Sequence, residues 1–594
     1  MSLQVWLPLN GNLNNQGLSE VTVTNSGATV STSGKIGSCY LFNPAKLSLT
    51  PSFITSFYGD FSFSLWLKVN SFTTSWETYL QIGVGTAPWN SYRIGLLRDA
   101  GTSNLIFCIG DGNSSTQNNC QTSYSAGDWY HFTCTYSKAE QKMRIYKNGV
   151  LSNTHSTSII PKLSDVPYIT LGQVNDGTYK TNCLMNDFRL YDHCLSAKEV
   201  KEISKGLNLH YKLSDSYIES TTNYSSQSIG SDGWNNSGSA TRSDNDTSVS
   251  RVFSTCPVLS IKQTVAGNSA MTFGHVSTST YTALKGATVT ASVYAYISDV
   301  NCSSNTVYLR STATNGAICT FKYKGSTNPQ GWPKNQWIRI EGTGSVPSNE
   351  TSAYFCTYTN NLNEKRHFTC WQLELKDHST PFVVGSRDES MVYDCSGLSN
   401  NGTKIGGVTP SSNPLPIRYN KSYDFDGNTG SVQIPNLSKL VPSGEFTMNC
   451  WIYHDDTWSS KGFETILGGP SGFELEAKKQ STNSPVLWAY SWGQGSATYE
   501  LNKWNMITMT RNTSESKFYI NGELKITGSA GTIPSGNYFI GAWNTSSQQN
   551  YKGKISDFRL YSTVLSTEDI RTLYNTSASI DKNGNMYAYE FKEE

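Results

Sequence analysis

The 594-residue sequence predicts an all-β protein: three antiparallel β-sandwich domains, the outer two duplicated, each of those ending in a short helix. Three observations carry this. Aromatic residues are abundant (15 Trp, 34 Tyr, 23 Phe) while charged residues make up only 15%, a balance that suits sheet and argues against long helices or coiled coils. Short runs alternate apolar and polar residues. And four landmarks occur twice in the same order. Phe61-Ser-Phe-Ser-Leu-Trp66, Asp128-Trp129-Tyr130, Tyr146-Lys-Asn148-Gly149 and Asp187-Phe-Arg-Leu-Tyr191 return as Phe446-Thr-Met-Asn-Cys-Trp451, Lys503-Trp504-Asn505, Tyr519-Ile-Asn521-Gly522 and Asp557-Phe-Arg-Leu-Tyr561. The repeat fixes three blocks, 1–210, 211–390 and 391–594. The second copy is shorter by about fifteen residues, as loops vary on a fixed scaffold.

Taken in order, Phe61, Phe63, Leu65 and Leu67 alternate with Ser62, Ser64, Trp66 and Lys68, the period of a strand with one face on a core. Further strands are expected at 129–136 and 142–146, and again at 504–510 and 516–520. Asn148-Gly149 and Asn521-Gly522 supply the positive φ values of a type I′ turn between hairpin strands. Ser196 with Glu199, and Ser566 with Asp569, have the spacing of a capping box, so a short helix closes each outer block. The middle block has its own strands at 287–297 and 337–341. Its entry, 214–246, reads as loops and an edge strand, and the tail, 581–591, as a last hairpin strand.

Bulk properties exclude several classes. With 46 basic and 45 acidic residues and no long basic run, nothing tracks nucleic acid or an anionic membrane. The start has no export signal and no window approaches a membrane span, so synthesis in a host cytoplasm without an anchor is expected. Thirteen cysteines form no close metal-type pair. Most read as small buried hydrophobes, with Cys108/Cys120 the best disulfide candidate.

Both outer blocks resemble the laminin G-like and pentraxin-like branch of the concanavalin A-like lectin fold. The likeness rests on a Tyr40-x-Phe42 (Tyr423-x-Phe425) strand, the Phe-Ser-x-Trp strand, the Asn-Gly hairpin, Asp-Phe-Arg-Leu-Tyr and Leu-Ser-x-x-Glu. It implies two-sheet jelly rolls. Ile169-Thr-Leu-Gly172-Gln173-Val174-Asn175-Asp176 is similar to the stretch in which pentraxins bind calcium: Asp176 falls on the family's Asp and Asn175 on its amide, but Val174 replaces an acid and the second copy has no carboxylate there. Calcium needs six to eight oxygen ligands, so the resemblance leaves a turn-forming Asn-Asp-Gly as the simpler reading. No other cofactor is expected. Trp371-Gln372-Leu373-Glu374 through Phe382 resembles the closing strand of carbohydrate-binding-module-like jelly rolls in bacteriophage tail and baseplate proteins, and both chain ends are similar to such proteins.

No enzymatic signature is present. The paired-acid strand motif of glycanases on this fold, a Gly-x-Ser-x-Gly elbow and phosphate-binding glycine motifs are absent. Glu474-Leu-Glu476 is the nearest acid pair and reads as a solvated strand end. Binding is better served, because sugar faces stack on aromatic rings while amides and carboxylates bond hydroxyls. Trp89, Trp458, Trp488, Tyr490, Trp492, Trp543 and, in the middle block, Trp234 are the candidate glycan contacts, with Trp76-Glu77 a further loop position of that composition. Trp66, Trp129, Trp451 and Trp504 recur and read as core. The resulting expectation is a bacteriophage virion protein, a homo-oligomer with a trimer among the options, that binds host-surface polysaccharide and other virion proteins. The alternative is a structural decoration or assembly protein without a sugar site.

Overall fold

The computed structural model describes the chain except residues 1–2, 20, 52–58, 84–91, 112–116, 162, 164–165, 167, 214–220, 226–239, 244–245, 247, 250–251, 253–255, 257, 268, 278–280, 299–300, 381, 383–385, 388–389, 412–421, 455–461, 480–484, 490–494, 545–548, 576–578, 581–585 and 588–594. It forms two compact units, Met1–Asp215 with Ser390–Glu594, and Ser216–Glu389. The first unit holds both copies of the repeat.

In the first module, one sheet runs in spatial order Val150–Ser156, Lys142–Lys147, Tyr130–Ser137, Phe61–Val69, Cys183–Tyr191, Cys39–Phe42 and Thr29–Ser31, and Leu3–Leu7 also pairs with Cys183–Tyr191. The other runs Gln117–Ser123, Asn104–Gly110, Tyr92–Arg98, Glu77–Gly83, Tyr168–Leu171, Lys46–Pro51 and Val21–Ser26. The pairings are antiparallel. Phe61, Phe63, Leu65 and Leu67 point inward and join Leu80, Ile82, Leu96 and Phe107 of the other sheet in one core. On the opposite face Ser62, Ser64 and Trp66 are buried as well and Lys68 is half-buried, because the closing helix Ala197–Ile203 covers that face. Trp66 packs there with Tyr146, Tyr191, Val200 and Ile203, and Trp451 packs likewise with Tyr519, Tyr561, Ile570 and Leu573 of the helix Thr567–Asn575. Both capping boxes form. Asn148 (φ 52°) and Gly149 (φ 78°) adopt the left-handed values that their turn requires.

The second module repeats this plan. One sheet runs Val408–Ser411, Ser422–Asp426, Lys552–Tyr561, Phe446–Tyr453, Trp504–Arg511, Glu515–Ile520 and Glu523–Ser529. The other runs Met391–Val392, Gly402–Ile405, Ser431–Ile434, Tyr538–Ile540, Phe463–Gly468, Glu474–Lys479, Pro485–Ala489 and Ser496–Thr498. Its first strand is Leu207–Tyr211, which pairs with Lys552–Tyr561 through the same bulged register that joins Leu3–Leu7 to Cys183–Tyr191. In the first module Trp6 N–H donates to Asn15 Oδ1, nine positions on, and the Trp6 carbonyl accepts from Gln16 N–H. His210 N–H donates in the same way to Asp394 Oδ1, 184 positions on, and its carbonyl accepts from Cys395 N–H. The residues Ser216–Glu389 are thus an insertion in the first loop of the second module, and the 1–210 block of the sequence reading takes in all but the last residue of that module's first strand.

The inserted unit is a sandwich of its own. A five-stranded sheet, Ala240–Ser243, Leu259–Gln263, Lys365–Glu374, Thr288–Ile297 and Trp337–Ser345, faces a four-stranded one, Ser269–Ser277, Ser352–Thr359, Val307–Ser311 and Ala317–Thr320. Trp371, Val293, Phe355 and Phe368 lie in its core. Ala240–Ser243 is the expected edge strand. The chain's last described ladder pairs Ser579–Ile580 with Met586–Tyr587.

All thirteen cysteines are free thiols, Cys108 and Cys120 among them. Cys108 pairs in register with Asn119, and Cys120 with Phe107. One step out of register on adjacent strands places them on opposite faces of the sheet, Cys120 in the main core and Cys108 in a small cluster outside it, so no bridge can form. Among the described residues no helix is long and apolar enough to cross a membrane.

Candidate functional site

Gly172 and Gly541 mark the same place in the two modules. Both have positive φ (96° and 81°), and each donates its N–H to the residue after a bulged threonine, Tyr79 O at 3.1 Å and Ile466 O at 2.9 Å. A Cβ on either would strike a phenylalanine ring, Phe42 or Phe425. Counting from these glycines makes Val174 equivalent to Trp543 and Asn175 to Asn544. The threonines, Thr78 and Thr465, each follow a buried glutamate, Glu77 and Glu464. Across the sheet from Thr78 stand Leu97 and then Ile106; across from Thr465 stand Glu476 and then Trp488.

The outer face of this sheet therefore differs between copies of one fold. In the first module Leu97, Ile106, Cys108 and Val174 form a buried apolar cluster with Trp76 and Tyr179 packed on it. That is a closed surface. In the second module the same places hold Glu476, Trp488 and Trp543, and both indoles are half-buried.

Glu476 is no solvated strand end, contrary to the sequence reading. It is 2% exposed, and the Thr465 hydroxyl hydrogen-bonds its carboxyl group. Burial first, and then the neighbouring Glu474 carboxylate, push its carboxyl up to about 7, and the two carboxyl groups hydrogen-bond to each other. Glu474, half-buried, is also raised by burial. The alternation of strand Glu474–Lys479 puts Lys478 on the same face, where its ammonium lies 4.6 Å from the Trp488 ring centroid and 5.0 Å from that of Phe463. Gln549 Oε1 and Asn550 Oδ1 are buried without hydrogen-bond partners. Thr465 links them: it bridges Asn550, and its N–H donates to the Gln549 carbonyl at 2.7 Å.

Of the candidate glycan contacts, the structure brings Trp488 and Trp543 to this face. Trp89, Trp458, Tyr490, Trp492 and Trp234 lie outside the described residues. Glu476 and Thr465 were not singled out as contacts. The signal that could have found them is the exchange of Leu97 for an acid between aligned strands, which needs the bulge register to be seen.

The residues at Asn175 and Asp176 do not fit calcium. Asp176 is exposed, and its Oδ1 accepts from Thr178 N–H at 2.9 Å and Thr178 Oγ1 at 2.7 Å, an Asx turn. The Lys46 ammonium donates to the Asn175 carbonyl at 2.6 Å and lies 3.3 Å from its Oδ1. A cation of the chain already holds the oxygens a metal would need. Among the described residues no group of three His, Cys, Asp or Glu side chains could hold a metal ion.

The family model of the concanavalin A-like lectin/glucanases superfamily, of laminin G type, matches residues 45–201 and 426–571, 303 of the 594 residues. The chain belongs to this superfamily. The matched segments are the two outer modules, as the duplicated motifs imply. No curated protein sequence matches the chain. Solved structures similar to it include domain 4 of AbnA, an extracellular arabinanase of Geobacillus stearothermophilus, in complex with arabinotriose (19% identity, TM-score 0.25, 30% of this chain and 91% of that one). Others are the binding domain of botulinum neurotoxin DC in complex with SialylT (14% identity, TM-score 0.29, 64% and 94%) and the botulinum neurotoxin serotype C1 binding domain (12% identity, TM-score 0.29, 63% and 98%).

Proposed function

We propose that the protein binds saccharide on the outer sheet face of its second module and serves as a bacteriophage virion component, in the tail, baseplate or fibre, that attaches to host-surface polysaccharide. The observation that carries the reading is the exchange of an apolar plug in one copy for Glu476, Trp488 and Trp543 in the other. Indole rings take the apolar face of a sugar and carboxylates take its hydroxyls, the mixture that small-molecule sites use. A shallow sugar site holds its ligand at about millimolar strength, and repetition in an oligomer raises apparent affinity by roughly 10²- to 10⁴-fold. A homo-oligomer displayed on a virion meets that need. The virion assignment is supported by the likeness of residues 371–382 and of both chain ends to tail and baseplate proteins.

The reading is binding without cleavage. Retaining glycosidases hold their two carboxyl groups about 5–5.5 Å apart and inverting enzymes about 6.5–9.5 Å. Glu474 and Glu476 are in hydrogen-bonding contact, which leaves no room for a glycosidic bond between them.

The test is binding of the full chain to host-type cells and to a glycan array, with Trp488→Ala and Trp543→Ala beside it. Each variant is expected to weaken binding about tenfold, the equivalent of roughly 1.4 kcal/mol. Undiminished binding by both, or no binding by the wild-type chain at multivalent density, would favour a structural decoration or assembly role instead.

A further inference from the structure

Asn-Gly occurs six times, at Asn10, Asn148, Asn315, Asn401, Asn521 and Asn583, the last outside the described residues. In this dipeptide the glycine nitrogen can turn back on the preceding side-chain amide, because glycine puts no Cβ in the way and leaves φ and ψ free. Three of the described pairs are locked. Asn148 N–H donates to the His131 carbonyl at 2.8 Å and its Oδ1 accepts from His131 N–H at 2.9 Å. Asn521 and Met506 make the same two bonds at 2.9 and 2.8 Å. The closing helices crowd both glycines: a Cβ on Gly149 would lie 2.3 Å from Ser204 Oγ, and one on Gly522 3.3 Å from Arg571 Cα. Asn401 Oδ1 accepts from Asp394 N–H at 2.9 Å, and Gly402 opens the strand Gly402–Ile405.

Asn315 is placed differently. With Gly316 it lies on the exposed hairpin loop between Val307–Ser311 and Ala317–Thr320, at φ 59°. The nearest atom to a Cβ on Gly316 would be Thr314 Oγ1, at 3.6 Å. The Gly316 N–H lies outside the ladder that pairs Arg310 with Ala317 and has the exposed Thr314 hydroxyl for a partner at 3.4 Å. Asn315 Oδ1 accepts from the Arg310 guanidinium Nη2. A backbone donor fixes an amide to the sheet, whereas a guanidinium on a long stem can follow the amide as it turns, its charge drawing electrons from the carbonyl. Asn10-Gly11 is open as well, with nothing within 4 Å of a Cβ on Gly11, but there Oδ1 accepts from a neutral amide, Asn12 Nδ2 at 3.1 Å.

From this we infer that Asn315 is a site of spontaneous deamidation in the folded protein, with Arg310 as the group that polarises its amide. The Gly316 nitrogen attacks Asn315 Cγ. The N–Cγ bond forms, negative charge builds on Oδ1 beside the Arg310 guanidinium, and the Cγ–Nδ2 bond breaks. Nδ2 leaves as ammonia, taking the proton of the Gly316 N–H. Water then opens the cyclic imide at either carbonyl, giving aspartate or isoaspartate. The carboxylate so formed is within reach of Arg310, which favours the product. The change takes the chain's formal net charge from +1 to zero, where proteins associate more readily.

The experiment is incubation of the folded full chain at pH 8 in heavy-oxygen water. Peptide mapping by mass spectrometry reads the oxygen taken up at each Asn-Gly, and enzymatic methylation counts isoaspartate. Arg310→Met and Gly316→Ala would be run in parallel, with thermal unfolding as a control for folding, beside wild type in guanidinium chloride. In the folded chain, conversion at Asn315 should lead that at Asn148, Asn401 and Asn521 by roughly tenfold or more, and that at Asn10 by less. In denaturant the six pairs should convert at like rates, because the order comes from the fold. Gly316→Ala should slow Asn315, since a Cβ then stands in the path of attack. Arg310→Met should slow it about tenfold, less than the roughly 10²- to 10³-fold that a donor at a developing oxyanion supplies in a closed active site. Conversion at Asn315 no faster than at Asn148 and Asn521 in the folded chain overturns the inference. A rate in Arg310→Met equal to or above that of wild type overturns the role given to Arg310. The wild-type order needs no variant, so it decides the site even where Arg310→Met fails to fold.

Discussion

His210 stands to Asp557 as Trp6 stands to Asp187. The Trp6 indole N–H donates to Asp187 Oδ1 at 2.7 Å, and His210 Nε2 lies 2.9 Å from Asp557 Oδ1. In both modules an arginine two residues on, Arg189 or Arg559, donates Nε to the same carboxylate oxygen at 3.0 and 2.9 Å. Both aspartates sit at positive φ, 55° and 52°, in a bulge of the strand that pairs with the module's first strand. The duplicated Asp-Phe-Arg-Leu-Tyr motif is thus a clasp that fastens the first strand to the sheet, closed by an indole in one copy and an imidazole in the other.

The imidazole makes the second clasp sensitive to pH. Burial, and then the Arg559 charge, lower His210 to about 4. The unfolded chain takes up this proton near pH 6.5 and the folded one only near 4, so the stabilisation is complete above pH 6.5 and drains away as pH falls toward 4. The window is worth on the order of 3 kcal/mol. His131, lowered to about 3 by burial, acts in the same direction. Melting temperatures between pH 7.5 and 4.5 should fall less steeply for His210→Gln than for wild type, by several degrees. Parallel curves would deny His210 its part.

Glu476 has the opposite sign. Its folded pKa is raised, so the folded chain holds a proton that the unfolded chain releases near pH 4.5, and its penalty grows as pH rises from about 4.5 to about 7. Glu476→Gln should therefore stabilise the protein by about 1–3 kcal/mol at pH 8 while leaving it nearly unchanged at pH 4. Denaturant midpoints at the two pH values measure this, and equal midpoints for variant and wild type at pH 8 would show the carboxylate to be satisfied.

Gly397 fixes the approach of one module's turn to the other module's ring. Its φ is 90°, and a Cβ there would lie 2.3 Å from the Trp6 indole. Gly397→Ala should cost about 2–4 kcal/mol, from overpacking together with the left-handed backbone. Trp6→Phe should offset only the overpacking part and open the first clasp. A double-mutant cycle in urea separates the two contributions.

Thiol chemistry reports the same packing. Burial pushes the Cys108, Cys183, Cys319, Cys356 and Cys450 thiols up to about 12, where almost no thiolate exists at neutral pH. In the native protein only Cys194, Cys302 and Cys395, the half-buried ones, should react with an aromatic disulfide at pH 8; all thirteen should react after denaturation. A titre short of thirteen in denaturant would reveal a bridge.

Features set by neighbours along the chain were legible in the sequence. The alternation at Phe61–Val69, the Asn148-Gly149 turn and the Ser196/Glu199 cap each depend on residues within a few positions, and each formed as expected. Features set by distant pairing were not. Leu207–Tyr211 adjoins the first module in sequence but finds its partner strand across an inserted domain. Glu476 has the look of a strand-end acid until the register places it between Thr465 and Trp488. Cys108 and Cys120 lie close enough to suggest a bridge, yet a one-residue offset turns them apart. Lys46 at Asn175 was equally invisible, being 129 positions away.

Because Asp557 is made 347 positions after His210, the ribosome finishes the second clasp roughly 20–70 s after it starts, at the usual pace of synthesis. Throughout that interval Leu207–Tyr211 is an unpaired edge. The Lys552–Tyr561 strand of a neighbouring nascent chain offers it the same ladder as its own. Exchange of this one strand between chains is accordingly the misassembly to which the architecture is most exposed, and it would grow with the crowding of polysomes.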